Sequence, residues 1–344
     1  LVRVESLTPP AMEILVVLGV GGALLLGGAM AVKGELAPSR LVVLYIAVGA
    51  LYEPVRKLGS AVPRIQAGLA GAGRIFAYLD RRSSVRERQD ARPLEDRPHR
   101  VRLERVTCTY GGAAEALMDL SLDLAPGSWV TVVGHSGSGK STLAGLLPRL
   151  YDPEGGAVLF DEVDARDLTL SSLRSQVMLV PQETFLLDDS VEANIAFAKP
   201  GATADEVREA ARTAHVLEFA EKLSGGFETR VGERGASLSG GQRQRITIAR
   251  ALLVRPRVLI LDEAVSAVDE ESALLIRDAL KKTREGRTTI VITHRVDTVL
   301  DSDLVVVLRE GRLEAADSHA ELEGKSPTYR DLLRAAEAAR AATP

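Results

Sequence analysis

Trp129-Val-Thr-Val-Val-Gly-His-Ser-Gly-Ser-Gly-Lys-Ser-Thr142, running into Leu143-Ala-Gly-Leu-Leu147, is the stretch on which the reading of this chain turns. A β-branched apolar run predicts a buried strand, and the Leu/Ala run after the loop predicts a helix. The loop between them fits G-x-x-x-x-G-K-[ST] in its required strand–loop–helix context, the pattern of a phosphate-binding loop. Its glycines let several N–H groups face one polyphosphate, and the helix start adds partial positive charge. Gly134, Ser136, Gly137, Ser138, Gly139, Lys140, Ser141 and Thr142 are therefore the candidate phosphate-binding residues. Lys140 carries a full charge toward β- and γ-phosphates, and Ser141 offers its hydroxyl to Mg²⁺.

A second apolar run, Val258-Leu-Ile-Leu261, ends in Asp262 and Glu263. A buried strand that delivers a carboxylate at its C-terminal end is how phosphate-binding-loop enzymes hold the metal side of the site. Asp262 is the candidate Mg²⁺ residue, directly or through water, and Glu263 is placed to polarise an attacking water. Strands are expected at 128–134, the run before the loop, and at 177–181, 288–293 and 304–308. Apolar runs alternating with helical patterns predict an α/β domain with parallel strands under helices.

Leu238-Ser-Gly-Gly-Gln242, leading into Arg243-Gln-Arg-Ile-Thr-Ile-Ala-Arg-Ala-Leu-Leu253, resembles the signature of the ATP-binding-cassette (ABC) family. The resemblance implies an α/β ATPase domain with a helical signature subdomain, ATP and Mg²⁺ as cofactors, and ATP hydrolysis between two cassettes. Ser239, Gly240, Gly241 and Gln242 are then expected to face ATP held by an opposite cassette. The same resemblance puts Tyr110 against adenine, and Gln182 at Mg²⁺ and the coupling to the membrane domain. It places Asp269 in a loop that communicates across the dimer, and His294 at the γ-phosphate. Val265 and Val268 depart from the family's usual residues, with little catalytic effect expected. Leu223-Ser-Gly-Gly226 is a near copy of the signature, but Phe227 follows and it reads as a loop.

Residues 14–32 contain no charged side chain. Nineteen residues in a helix reach about 28 Å, close to a bilayer's hydrocarbon thickness. The run 41–52 reads as the core of a longer helix from about Pro38 beyond Val62. The pair is expected to form a membrane hairpin, with spans at about 12–32 and 38–62. Basic Arg56, Lys57, Arg64 and Arg74 follow the second span, which puts that end and the ATPase in the cytoplasm. The domains expected are a partial membrane domain over 1–80, a solvated linker over 81–100, and the ATP-binding domain over 101–344.

The segment Thr229-Arg-Val-Gly-Glu-Arg-Gly235 and the hairpin resemble exporter halves of the same family. An exporter half usually has six spans, and two fit here, so a truncated half-transporter of the cell membrane is expected. Its implied partners are a second, identical or different, half-transporter and membrane lipid, and its substrate is unidentified. The other reading is an ATPase remnant or regulatory nucleotide-binding module without transport of its own. Retention of Glu263, His294 and 238–242 argues against decay of the ATPase site. A formal charge of −4 argues against nucleic acid as a partner. The lone Cys108 excludes an intrachain disulfide or a thiol metal cluster. No coiled-coil insertion fits between loop and signature, which sets aside a DNA-maintenance ATPase.

Overall fold

The structure, a computed structural model, describes residues 2–81, 83–110, 114–264, 268–293 and 299–341. Side chains at 2–12, 15, 38, 55, 56, 58–60, 62, 63, 110, 114 and 336–341 are not among those described. The chain divides into two compact units, Leu1–Ser83 and Ser84–Pro344.

The first unit is a helical hairpin of α1 (Val2–Val32) and α2 (Pro38–Leu79). Small residues let the two helices approach: a Cβ on Gly27 would lie 2.9 Å from Leu44 Cδ2 and 3.2 Å from Leu41 Cδ1. Away from that seam the apolar side chains point outward, with Val17, Leu18, Leu25 and Leu26 on α1 and Val43, Ile46 and Leu51 on α2 all exposed. α2 continues as one helix through Pro54, which costs one backbone donor without ending it. Among the described residues no helix is long and apolar enough to cross a membrane.

The second unit is built on a six-stranded sheet. Its strands are β3 (Trp129–Val133), β6 (Val177–Val180), β7 (Val258–Asp262), β8 (Thr288–Ile292), β9 (Leu304–Arg309) and β10 (Arg312–Asp317), in the order β10-β9-β3-β8-β7-β6. All neighbours are parallel except the β9–β10 pair. The apolar runs are unbroken because both faces are covered. Val258 and Ile260, Ile290 and Ile292, and Val306 and Leu308 enter one core. That core includes α3 (Lys140–Leu146) and a second sheet. Leu259, Leu261 and Val291 enter the opposite core, under α5 (Val191–Ala196), α6 (Ala204–Thr213), α8 (Gly240–Val254) and α9 (Glu270–Lys282). Short α4 (Leu170–Gln176) and α7 (Leu217–Ala220) connect these elements, and α10 (His319–Lys325) and α11 (Pro327–Ala341) close the β9 side.

The second sheet is antiparallel, with order β2-β1-β4-β5: β1 (Val101–Tyr110), β2 (Ala114–Leu124), β4 (Gly155–Phe160) and β5 (Val163–Asp164). The parallel pattern read from sequence misses it, because bulges break the β1–β2 register and with it the period-2 signal.

The sequence expects a solvated linker over 81–100, whereas from Ser84 the chain is packed on the second unit. Val85, Leu94 and His99 are buried. Leu94 N donates to Ser172 Oγ at 2.9 Å, and Gln176 Nε2 donates to Leu94 O at 2.7 Å. Three isolated anchors among charged residues carry no periodicity, which is why they read as linker.

Candidate functional site

Strand β3 lies inside the parallel sheet between β9 and β8, so the loop after it opens at the sheet's carboxyl edge. That edge is where open α/β sheets bind ligands. Gly139 closes the loop at φ 98°, and a Cβ there would lie 2.5 Å from Ala116 O and 2.6 Å from Leu117 Cδ2. Glycine is thus required by backbone conformation and by space together. Lys140 is buried and folds back on its own loop, donating to Gly134 O at 2.9 Å and His135 O at 2.8 Å. Burial pulls its pKa down, against the nearby Glu263 and Asp262 carboxylates. Ser138 is also buried, and its hydroxyl has no partner among the described residues.

Strand β7, one strand beyond β8, brings Asp262 to the same edge. Burial raises the Asp262 pKa, while the Ser141 hydroxyl, hydrogen-bonded to it, and Lys140 oppose the rise and Glu263 adds to it. Asp262 Oδ1 is buried with no partner among the described residues. Glu263 leaves the strand at φ 49°, the left-handed region that non-glycine residues seldom adopt, held by its N–H to Ile292 O at 3.0 Å. Strained backbone of this kind concentrates at functional sites. The turn delivers Glu263 Oε2 to Gln182 Nε2 at 2.9 Å. Gln182 follows β6, the strand beside β7, so two residues far apart in sequence meet through strand order. Residue spacing carries no signal for this contact.

The signature residues form a different assembly. Ser239 caps α8: its Oγ accepts from Gln242 N at 3.2 Å, and Ser239 N donates to Gln242 Oε1 at 2.9 Å. This is a reciprocal capping box. The S-x-x-Q spacing would have revealed it from sequence. Asp269 likewise caps α9, its Oδ1 accepting from Ser272 N at 2.8 Å. The two helix starts are in close contact at Gly241, where a Cβ would lie 2.2 Å from Ser272 Oγ and 3.0 Å from Asp269 Oδ2. Among the described residues no hydrogen bond joins 238–242 to the phosphate-binding loop. Leu223–Gly226 runs into a three-residue 3-10 turn at Gly226–Glu228, without a helix of α8's kind.

Lys140, Ser141, Asp262, Glu263 and Gln182 thus converge, and Ser239, Gly241, Gln242 and Asp269 gather separately. His294, the side chain of Tyr110 and residues 265–267 lie outside the described residues. Ser141, Asp262 and Gln182 offer oxygen donors only, which suits a hard cation such as Mg²⁺.

Residues 117–266 match the family model described as ABC transporter. A protein of Desulfotalea psychrophila named ATP-dependent lipid A-core flippase is 40% identical over 313 residues, 91% of this chain and 54% of its own length. A protein of the same name from Methylococcus capsulatus is 41% identical over 335 residues, 96% of this chain and 55% of its own. An uncharacterized ABC transporter ATP-binding protein of Bacillus subtilis is 35% identical over 97% of this chain and 55% of its own length. Among solved structures, a bacterial Atm1-family ABC exporter with ATP bound superposes with a TM-score of 0.74 at 36% identity, covering 98% of this chain and 59% of that one. The chain spans a little over half the length of the curated relatives it matches.

Proposed function

As the chain belongs to the ABC transporter family, whose defining domain binds ATP, we propose that it hydrolyses ATP as the ATPase subunit of an exporter. The observation that carries this is the meeting of Glu263 with Gln182 beside the loop of Lys140. Lys140 is in place to exchange its two loop carbonyls for β- and γ-phosphate oxygens. Ser141, Asp262 and Gln182 would hold Mg²⁺, and the unpartnered buried Asp262 Oδ1 fits that assignment. The ion supplies neutralisation of charge on the transferring phosphoryl group.

Glu263 orients and polarises the attacking water, and Gln182 fixes the position of its carboxylate. His294 contacts the γ-phosphate and Tyr110 the adenine. Ser239 spends its acceptor on the helix N–H and keeps its own O–H to donate. With Gly240, Gly241 and Gln242, it faces ATP held by a second cassette, and Asp269 communicates across that interface. The separation of the signature cluster from the loop within one chain supports a dimer of two such subunits.

The α1–α2 hairpin is proposed to lie in the membrane, with spans over about 12–32 and 38–62 and the ATPase unit on the cytoplasmic side. Its uncharged 14–32 run and outward apolar side chains support lipid as the surrounding medium. The names of the relatives support export, with lipid as the first cargo class to test. Glu263→Gln tests the ATPase mechanism: nucleotide binding is expected to persist while turnover falls by at least ~10²-fold, the lower range for a lost general base. ATP hydrolysis at the parental rate would remove Glu263 from its assigned role.

A further inference from the structure

A cavity of about 380 Å³ opens between the C-terminal end of α8, the α6 face and the turn after α9. It shares no residue with the phosphate-binding loop, the β7 acids or Gln182. Six charged side chains line it, and three are committed elsewhere. Glu206 pairs with Lys199 at 2.6 Å, Glu209 with Arg212, and Arg257 with Asp96 at 2.7 Å. That leaves Arg255, Arg287 and Glu285, which form no ion pair among the described residues.

Arg287 is the unusual member. It is 5% exposed, yet among the described residues no carboxylate is paired with it. Its Nη2 donates to Thr283 Oγ1 at 2.8 Å and Leu280 O at 3.3 Å, capping the end of α9, while Nε is buried with no partner among the described residues. Buried guanidinium groups are normally paired, because desolvating an unpaired charge is expensive. Its pKa is pushed down to about 10, and burial is the cause. Arg255 also lines the cavity, at φ 55° just past the last turn of α8, where its charge acts on Glu206 without an ion pair among the described residues. Two unpaired guanidiniums on one cavity suit an oxyanion, which Arg recognises through parallel N–H donors.

We propose that this cavity is a second binding site, for a small phosphate-bearing anion held by Arg287 and Arg255. The ligand would tie the end of the signature helix to the turn that feeds β8. The cavity has room for more than a free phosphate, so the phosphate group stands alone or on a small organic body. Glu285 opposes the anion and sets a direction for a third variant.

The test is thermal unfolding of the purified full chain in detergent, at constant ionic strength, titrated with inorganic phosphate and separately with AMP. Lys140→Ala is the background, so that the phosphate-binding loop does not report. At about five times Kd the anion should raise Tm by roughly 2–4 °C. Arg255→Gln, an exposed change at the same backbone geometry, should abolish the rise without altering Tm in chloride. Arg287→Lys, which keeps charge and loses the fork, should weaken it by several-fold, and Glu285→Gln should strengthen it. A response to both probes places recognition in the phosphate alone, and a response to AMP only adds the nucleoside. Absence of a rise with either probe, or a rise that Arg255→Gln leaves intact, would overturn the site.

Discussion

Gly241 sits in the signature, where a ligand-facing role explains a glycine readily, but the structure supplies a different reason for it. A Cβ at this position would lie 2.2 Å from Ser272 Oγ, 2.8 Å from Ser272 Cβ and 3.0 Å from Asp269 Oδ2. Carbon atoms in contact normally sit about 3.5–4.0 Å apart. The Ser272 hydroxyl can rotate away, but its Cβ cannot, so the start of α8 must withdraw from the start of α9. Both starts are pinned by caps, Ser239 with Gln242 and Asp269 with Ser272. Overpacking at a fixed contact costs about 1–3 kcal/mol. For a unit of this size that corresponds to a Tm lowered by roughly 2–12 °C. The assay is thermal unfolding of Gly241→Ala without nucleotide, within a double-mutant cycle with Ser272→Gly. Ser272→Gly alone should cost about 0.5–1 kcal/mol of helix propensity. The double variant should be more stable than the sum of the single changes by about 0.5–3 kcal/mol, because two of the three close contacts are gone. An unchanged Tm for Gly241→Ala, with ATP turnover lost, would refute the reasoning and assign the glycine to the ligand.

Two further outcomes are expected. Ser239→Ala should lose about 0.5–2 kcal/mol through its cap. Ser239→Asp should keep the cap and the Tm while its charge weakens nucleotide binding, and equal loss of stability in both variants would show that the capping box matters little. At the far edge of the sheet, Lys325 donates to Asp317 Oδ2 at 2.7 Å and holds the Asp317 carboxyl down to about 2. A folded pKa below the unfolded value of about 3.9 means a contribution present above pH ~4 and lost as pH falls toward 2. Urea midpoints at pH 6 and pH 3 should therefore fall less for Lys325→Met than for the parent. Added salt should shrink that difference, since the pair is exposed. A parallel fall in both proteins would dissociate the pair from acid sensitivity.

What could be read from the chain was local. The loop 134–142 needs its glycines, lysine and hydroxyls in immediate succession, so the motif and its strand–loop–helix context appear together in the sequence. The buried strands were legible because a sheet covered on both faces demands unbroken apolar runs. Elements whose reason lies in distant partners stayed hidden. Val85, Leu94 and His99 read as linker because single anchors have no period. The β1–β2–β4 sheet was concealed by bulges and by sequence separation.

The sequence alone determined which residues are chemically competent: Lys140, Ser141, Asp262, Glu263, Gln182 and the signature run. Tertiary structure decided how they are used. Strand order β3-β8-β7-β6 sets Glu263 against Gln182, and the contact of two helix starts forces glycine at 241. Among the described residues, burial without a counter-charge distinguishes Arg287 from the buried Arg149 and Arg245, which face Asp152 and Glu218. Motif chemistry is a property of neighbours along the backbone, whereas strand order, close approach and desolvation are properties of neighbours in space.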